Sequence, residues 1–367
     1  MTKYIITVLF VSIGSLALSQ YTFTPVKEIQ CTPIKSQDRT GTCWSFATSS
    51  FIESEIIKAN KGNIDISEMF IVRNIYMDKA KNYVLRQGKA NFSQGSLSHD
   101  LIRIMAKDGI VPESVYSGLS TNDKKHNHSE MEAALKGFLD GVISQKRVSS
   151  KWPLAIEAIL NVYLGDAPTR FKYEGKSFTP SSFANHIGLS PDNYVSISSF
   201  THHPFYNEFI LEIPDNYSNG SFYNVPLDEL ISTIDHALKN GYSIAWDGDV
   251  SEKGFSAKEG IAVLPSDDSR EDLFVIPGEE LEVTQKLRQE NFESYSTTDD
   301  HLMHLVGTAK DQKGNKYYII KNSWGEISPY KGYLYMSEAY VKMKTMAIMV
   351  NKSAIPSPTS KKLFAKQ

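Results

Sequence analysis

Residues 36–47 read Ser36-Gln37-Asp38-Arg39-Thr40-Gly41-Thr42-Cys43-Trp44-Ser45-Phe46-Ala47. The stretch is polar and turn-forming up to Gly41. It then switches to a helical pattern, with Ala47 and Phe51, and Ile52 and Ile56, recurring four apart on one face. Asn60-Lys61-Gly62 supplies the stop, Gly62 being suited to the left-handed conformation past a helix end. Cys43 therefore stands at the first turn of a helix. Unpaired N–H groups and the helix dipole favour an anion there, so the thiol pKa is expected to fall and thiolate to accumulate. Gln37 lies close enough upstream to loop back and offer an amide N–H beside the sulfur. Most free cysteines are simply small buried residues, and the stretch alone leaves both readings open.

The chain has 367 residues, of which 41% are hydrophobic and 22% charged. That composition is ordinary for a soluble globular protein with one large domain or two smaller ones. The formal net charge of −3 gives no reason to expect nucleic acid as a partner. Met1 to Ser19 reads as a secretory signal peptide. Lys3 gives a positive start, Tyr4 to Leu18 an apolar core, and Ala17-Leu18-Ser19 a small-x-small cleavage site. The mature chain is expected to begin at Gln20 and to be secreted or periplasmic. The apolar run is shorter than the ~20 residues of a membrane span, and no other segment is apolar enough, so no span is expected after signal removal. The two cysteines, Cys31 and Cys43, could pair in an oxidising compartment, which would consume the candidate nucleophile.

After the Cys43 helix, Ile66 to Val72 predicts a helix capped by Ser67, and Leu101, Ile102 and Met105 predict another that stops near Gly109. From Ser117 to about Ser190 the chain becomes polar, with three punctuated helix patterns. Ser129 and Glu132 form a capping-box pair before Leu135 and Leu139; Pro153 opens a helix ended by Gly165; Thr179-Pro180 opens one ended by Gly188. His126, His128, His202 and His203 have no cysteine or carboxylate at ligand spacing and read as solvated loop histidines, so no metal site is predicted. Tyr194 to Ile213 suggests strands. Leu227, Leu230, Ile231, Ile234 and Leu238 mark one face of a helix ended by Gly241, and Tyr242 to Trp246 reads as a strand. Phe255 to Glu293 is charged and reads as loop. His301–Thr308 and Lys316–Asn322 are two strands joined by the turn Asp311-Gln312-Lys313-Gly314-Asn315, which brings His301 and Asn322 together. Gly332 to Met336 and Ala347 to Val350 are further strands. The basic segment from Ser353, with Pro356 and Pro358, reads as a flexible tail.

The hairpin supplies what the thiol lacks: an imidazole to take its proton and an amide to orient that imidazole. Gln37 and Gly41-Thr42-Cys43-Trp44-Ser45-Phe46-Ala47, then Asp300-His301, then Lys321-Asn322-Ser323-Trp324-Gly325, resemble the motif set of the papain-like (C1) cysteine peptidases, in that family's order. The resemblance implies Cys43 as nucleophile, His301 as general acid/base, Asn322 as the orienting residue, and Gln37 with the Cys43 amide as oxyanion hole. Trp44, Ser93, Gln94, Gly95, Asp300 and Trp324 would lie at the substrate, Ser93-Gln94-Gly95 pairing with its backbone. Gln94 departs from the family's glycine, and Thr40 stands where many members have a disulfide cysteine. His304 rivals His301, but an odd spacing along a strand turns the two to opposite sides.

His301 follows Cys43 at a much wider spacing than the ~130–150 residues of papain itself. The long insertion is similar to that of the bleomycin hydrolase and aminopeptidase C branch. Phe178-Thr179-Pro180 with Phe183, Leu227 to Gly241, and Trp246-Asp247-Gly248-Asp249-Val250 also look like that branch. The expectation is an α+β papain-like two-lobed fold: a signal peptide (1–19), a helical lobe (20–117), a helical insertion (118–190), a β-rich lobe (191–352) and a C-terminal tail (353–367). The expected activity is hydrolysis of peptides or proteins through a thioester, in the manner of an aminopeptidase of that branch, whose own C-terminus lies in the cleft; whether Ala365-Lys366-Gln367 does so here is left open. No cofactor is implied, and a homo-oligomer is left open. A papain-like endopeptidase, a Cys–His acyltransferase or deamidase, and an inactive peptide-binding homologue are the alternatives.

Overall fold

The computed structural model describes residues 21–119 and 124–364; the expected signal peptide and Ala365-Lys366-Gln367 lie outside them. A strand, β1 (Thr24–Glu28), leads into α1 (Cys43–Lys58). Helix α1 is enclosed on all sides: Ala47, Phe51, Ile52 and Ile56 are buried, and so are its polar residues Ser45, Thr48, Ser50, Glu53 and Ser54. Such a helix keeps its polar groups only by bonding each one. Ser45 donates to the Glu68 carbonyl, Thr48 to Ser98, Ser54 to the Gln30 carbonyl, and Glu53 accepts from the Ile66 amide. At its end Asn60 as well as Gly62 takes positive φ.

Around α1 pack α2 (Glu68–Leu85) and α3 (Ser98–Lys107), followed by α4 (Ser129–Ile143), α5 (Trp152–Leu164), a small hairpin of β2 (Phe171–Tyr173) and β3 (Lys176–Phe178), and α6 (Pro180–Ile187). Ser67 caps α2, its hydroxyl accepting from the Phe70 amide at 3.0 Å. Thr179 and Ser182 cap each other at α6, and Gly165 and Gly188 take positive φ after α5 and α6. The Ser129–Glu132 capping box does not form. His128 is the N-cap residue of α4, and the Glu132 carboxylate instead accepts from Gln94 Nε2 at 2.7 Å.

The remaining strands are β4 (Tyr194–Ser198), β5 (Glu208–Ile210), β6 (Ser221–Asn224), β7 (Ile244–Gly248), β8 (Phe255–Ser256), β9 (Ile261–Ala262), β10 (His301–Lys310), β11 (Lys316–Lys321), β12 (Tyr333–Ser337) and β13 (Thr345–Asn351). With β1 paired onto β10, they form one mixed sheet in the order β5-β6-β4-β13-β7-β10-β11-β12-β9-β8. Successive side chains leave opposite faces of a strand, and the sheet accordingly divides two cores. Ala245, Leu302, Ala347 and Met349 join the core of α1–α6. Ile244, Trp246, Met303, Leu305, Ile348 and Val350 join that of α7 (Leu227–Lys239) on the other face.

Two segments differ from expectation. Within the charged 255–293 stretch, α8 (Gln285–Glu293) is capped by Thr284 and held by Arg288, whose guanidinium donates to the carbonyls of Ser199, Lys342 and Met343. After α9 (Glu338–Lys344) and β13, the segment read as a flexible tail folds into α10 (Ser357–Phe364). Ile355 and Leu363 are buried in the α7 core, Lys362 pairs with Glu229 at 2.6 Å, and Phe364 meets Tyr223 edge-on. The apolar residues of the tail decide its fate; Pro358 is no obstacle in a first helical turn. Among the described residues no helix is long and apolar enough to cross a membrane.

Candidate active site

Three segments converge at the N-terminus of α1. Ser36 and Trp324 form an antiparallel bridge, the Gln37 amide donates to the Ser323 carbonyl at 2.8 Å, and the Gly325 amide to the Lys35 carbonyl at 3.1 Å. This pairing ties the turn before Cys43 to the loop after β11. Strand β10 packs along α1, and the Leu302 amide hydrogen-bonds the Cys43 sulfur; His301, the first residue of β10, is its neighbour in the strand. Both cysteines are free thiols; Cys31 lies 3.4 Å from the Tyr333 hydroxyl, so the bridged alternative is not what the structure holds.

His301 is 3% exposed and stacks on Trp324, ring centroids 4.5 Å apart. Asn322 Oδ1 accepts from the Ser323 amide at 2.7 Å and lies 2.8 Å from His301 Nε2. An oxygen already accepting one N–H requires a donor from the imidazole, so Nε2 carries the proton and Nδ1 is left with its lone pair. His304 lies elsewhere, fully buried, with Nδ1 2.8 Å from Ser50 Oγ, two turns into α1.

Gln37 is fixed at both ends of its amide. Oε1 accepts from the Ser323 hydroxyl at 2.7 Å, and Nε2 donates to the Thr40 carbonyl at 2.6 Å. One N–H of the amide remains for a substrate oxygen. Trp44 is buried behind the cleft wall and donates to the Gln94 carbonyl at 2.9 Å. The carbonyls of Ser93 and Gly95 accept from the Lys79 ammonium, and Gln94 Oε1 accepts from the Gly41 amide at 2.7 Å. A Cβ at position 95 would meet the Asp215 carboxylate at 1.8 Å, so a larger residue there would displace that carboxylate. Asp300 is exposed and accepts from the Val250 amide and the Thr298 hydroxyl.

The electrostatics differ from the sequence expectation. Burial pushes the Cys43 thiol up to about 12; the Leu302 amide opposes this, and carboxyls at Asp299, Asp247 and Asp215 reinforce it. Burial likewise pushes His301 down to about 4, against the hydrogen bond it donates to Asn322. Burial thus disfavours the charged form of both groups, while the start of α1 favours an anion at the sulfur. Asp247 and Asp299 lie in or beside stretches the sequence singled out, but Asp215 does not, and their convergence on the thiol from three distant segments was not legible.

His202 and His203 do meet a carboxylate, their Nε2 atoms lying 3.1 and 2.7 Å from Glu212. Gln289 accepts from the Thr201 amide through Oε1 and donates to His202 Nδ1 at 2.9 Å. His202 Nε2 thus carries a proton toward Glu212 and is set as a donor rather than a ligand.

Profiles of two related families match the chain: "Papain family cysteine protease" over residues 22–157 and "Peptidase C1-like family" over residues 155–367. The chain is 24% identical to Aminopeptidase G of Lactobacillus delbrueckii subsp. lactis, over 89% of this chain and 82% of that protein. It is 24% identical to Aminopeptidase C of Lactococcus lactis subsp. cremoris (88% and 81%) and 22% identical to Bleomycin hydrolase of Rattus norvegicus (92% and 84%). Among solved structures, PepW from Lactobacillus rhamnosis superposes with a TM-score of 0.73 at 20% identity, over 93% of this chain and 84% of that one, a likeness of fold.

Proposed function

Since the chain belongs to the Peptidase C1-like family and is a cysteine-type peptidase, we propose that it removes N-terminal residues from peptides through a thioester on Cys43. The carrying observation is the set Cys43, His301 and Asn322, with His301 protonated at Nε2 and open at Nδ1. As the sulfur attacks the scissile carbonyl, its proton passes to His301 Nδ1. The remaining Gln37 N–H and the Cys43 amide receive the oxyanion, a contribution of about 3 kcal/mol per donor in acyl-transfer enzymes. The imidazolium protonates the leaving amine; the neutral imidazole then takes a proton from water, which hydrolyses the thioester. Asn322 and Trp324 hold the ring through both steps. The aminopeptidase direction is supported by the names of the relatives and by the acidic surroundings of the thiol.

Replacing Cys43 with Ala should abolish release of N-terminal residues from peptides while leaving the fold intact by circular dichroism; undiminished activity would remove the assignment. The leader-like 1–19 segment supports export, and the mature protein should begin at Gln20 when its N-terminus is sequenced.

A further inference from the structure

Beside the thiol lies a buried pair of carboxyls that the sulfur–imidazole chemistry does not use. Asp247 on β7 stands opposite Leu302 of β10 in the antiparallel register, and Leu302 is the residue whose amide reaches the Cys43 sulfur. Asp247 is 4% exposed, and among the described residues no N–H or hydroxyl donates to either of its carboxylate oxygens. Asp299, two residues before His301, presents a buried Oδ2 that likewise receives none. The two carboxyls face each other closely enough to share a proton.

The neighbouring acids are provided for. Asp249 accepts from the Ser251 and Thr298 amides and lies 3.8 Å from the Lys344 ammonium. Asp215 accepts from Asn91 at 3.1 Å and is countered by Lys79. Among the described residues no lysine or arginine forms an ion pair with Asp247 or Asp299. Buried acids without donors are costly in a folded chain and are kept where something outside it completes them. The Asp299 end of the pair is open: with Thr297, Thr298, Met346 and Pro214 it lines a cavity of about 520 Å³.

We propose that the Asp247–Asp299 pair receives the free α-ammonium of the substrate's N-terminal residue. With one proton shared, the pair carries one negative charge, and an ammonium brings three N–H donors to oxygens that have none. The α-nitrogen of a peptide's first residue sits about 2.5 Å from that residue's carbonyl carbon, so its anchor must adjoin the attacking sulfur, as this pair does. A lysine side chain offers the same ammonium chemistry at a longer reach. The inference rests on the aminopeptidase reading and names the group that would enforce it.

The test uses the full chain with leucyl arylamide, its N-acetyl and desamino analogues, and N-acetyl-lysyl against N-acetyl-norleucyl arylamide. Wild type should favour the free amine over the desamino analogue by about 100-fold or more, and Asp247→Asn and Asp299→Asn should each cut that preference at least about tenfold, mainly through KM. Circular dichroism confirms that each variant is folded. An unchanged preference in folded variants, equal wild-type rates on the free-amine and desamino substrates, or a preference for N-acetyl-lysyl over N-acetyl-norleucyl substrate that the variants abolish, would overturn the proposal. Absence of any thiol-dependent cleavage would instead remove the peptidase reading beneath it.

Discussion

The Asp299 carboxyl is raised to about 7, because burial strips its water and Asp215 and Asp300 add negative charge, against the hydrogen bond from Asp247. A carboxyl whose folded pKa exceeds its unfolded value binds more protons in the native state, so it lowers stability as pH rises from about 4 to about 7. Asp299→Asn removes that dependence. Its melting temperature should therefore match wild type near pH 4 and exceed it by a few degrees near pH 7.5, a gain of about 2 kcal/mol; scanning calorimetry across that range checks it. A stabilised variant with impaired recognition of free amines is the usual signature of a strained functional group. At this scale Cys43, His301, Asn322 and Gln37 could be singled out as candidates, since each sits in a local motif. The suppressed ionisation of the thiol was not legible. It depends on burial and on Asp215, Asp247 and Asp299, which only the folded chain brings together.

The elements that could be read were those whose partners are near in sequence. The β10–β11 hairpin closes through Asp311, whose amide donates to the Asn315 carbonyl at 3.0 Å, and Gly314 with φ +87° supplies the turn. Helices α5 and α6 carried their own stops. Those misread depend on remote partners. Glu132 leaves its capping role to meet Gln94, α8 is held by Arg288, and α10 is held by Glu229, Tyr206 and Tyr223. Helix α10 lies with the α7 core, on the sheet face opposite α1. Its Phe364 packs on β6, four strands from β10, about 19 Å at ordinary strand spacing. Truncation after Ile355 strips Leu363 from its site and should cost about 2 kcal/mol, read as a lower midpoint in urea. The ratio of free-amine to blocked-substrate cleavage should stay as in the full chain; a collapse of that ratio would show that the C-terminus, rather than the acid pair, selects chain ends.

Over the whole molecule, one sheet separates two cores, and the reacting groups sit where the edge of that division meets the start of α1. The fold class and the order of helical and β-rich halves were legible because the motifs at Cys43 and at the His301–Asn322 hairpin fix both sides of the cleft. The packing of 129–187 into the same core as α1–α3 was not, since its apolar residues, Leu135, Leu139, Ile156, Leu160 and Phe183, find partners far away in sequence. We propose that this architecture brings the Cys43 thiol and the His301 imidazole together to attack a substrate carbonyl. Acid quenching during turnover of a leucyl ester, followed by peptide mapping by mass spectrometry, tests that claim most directly. Wild type should carry a leucyl thioester on Cys43, and His301→Ala should carry almost none. An acyl group found on any other residue, or full acylation of Cys43 in His301→Ala, would contradict it.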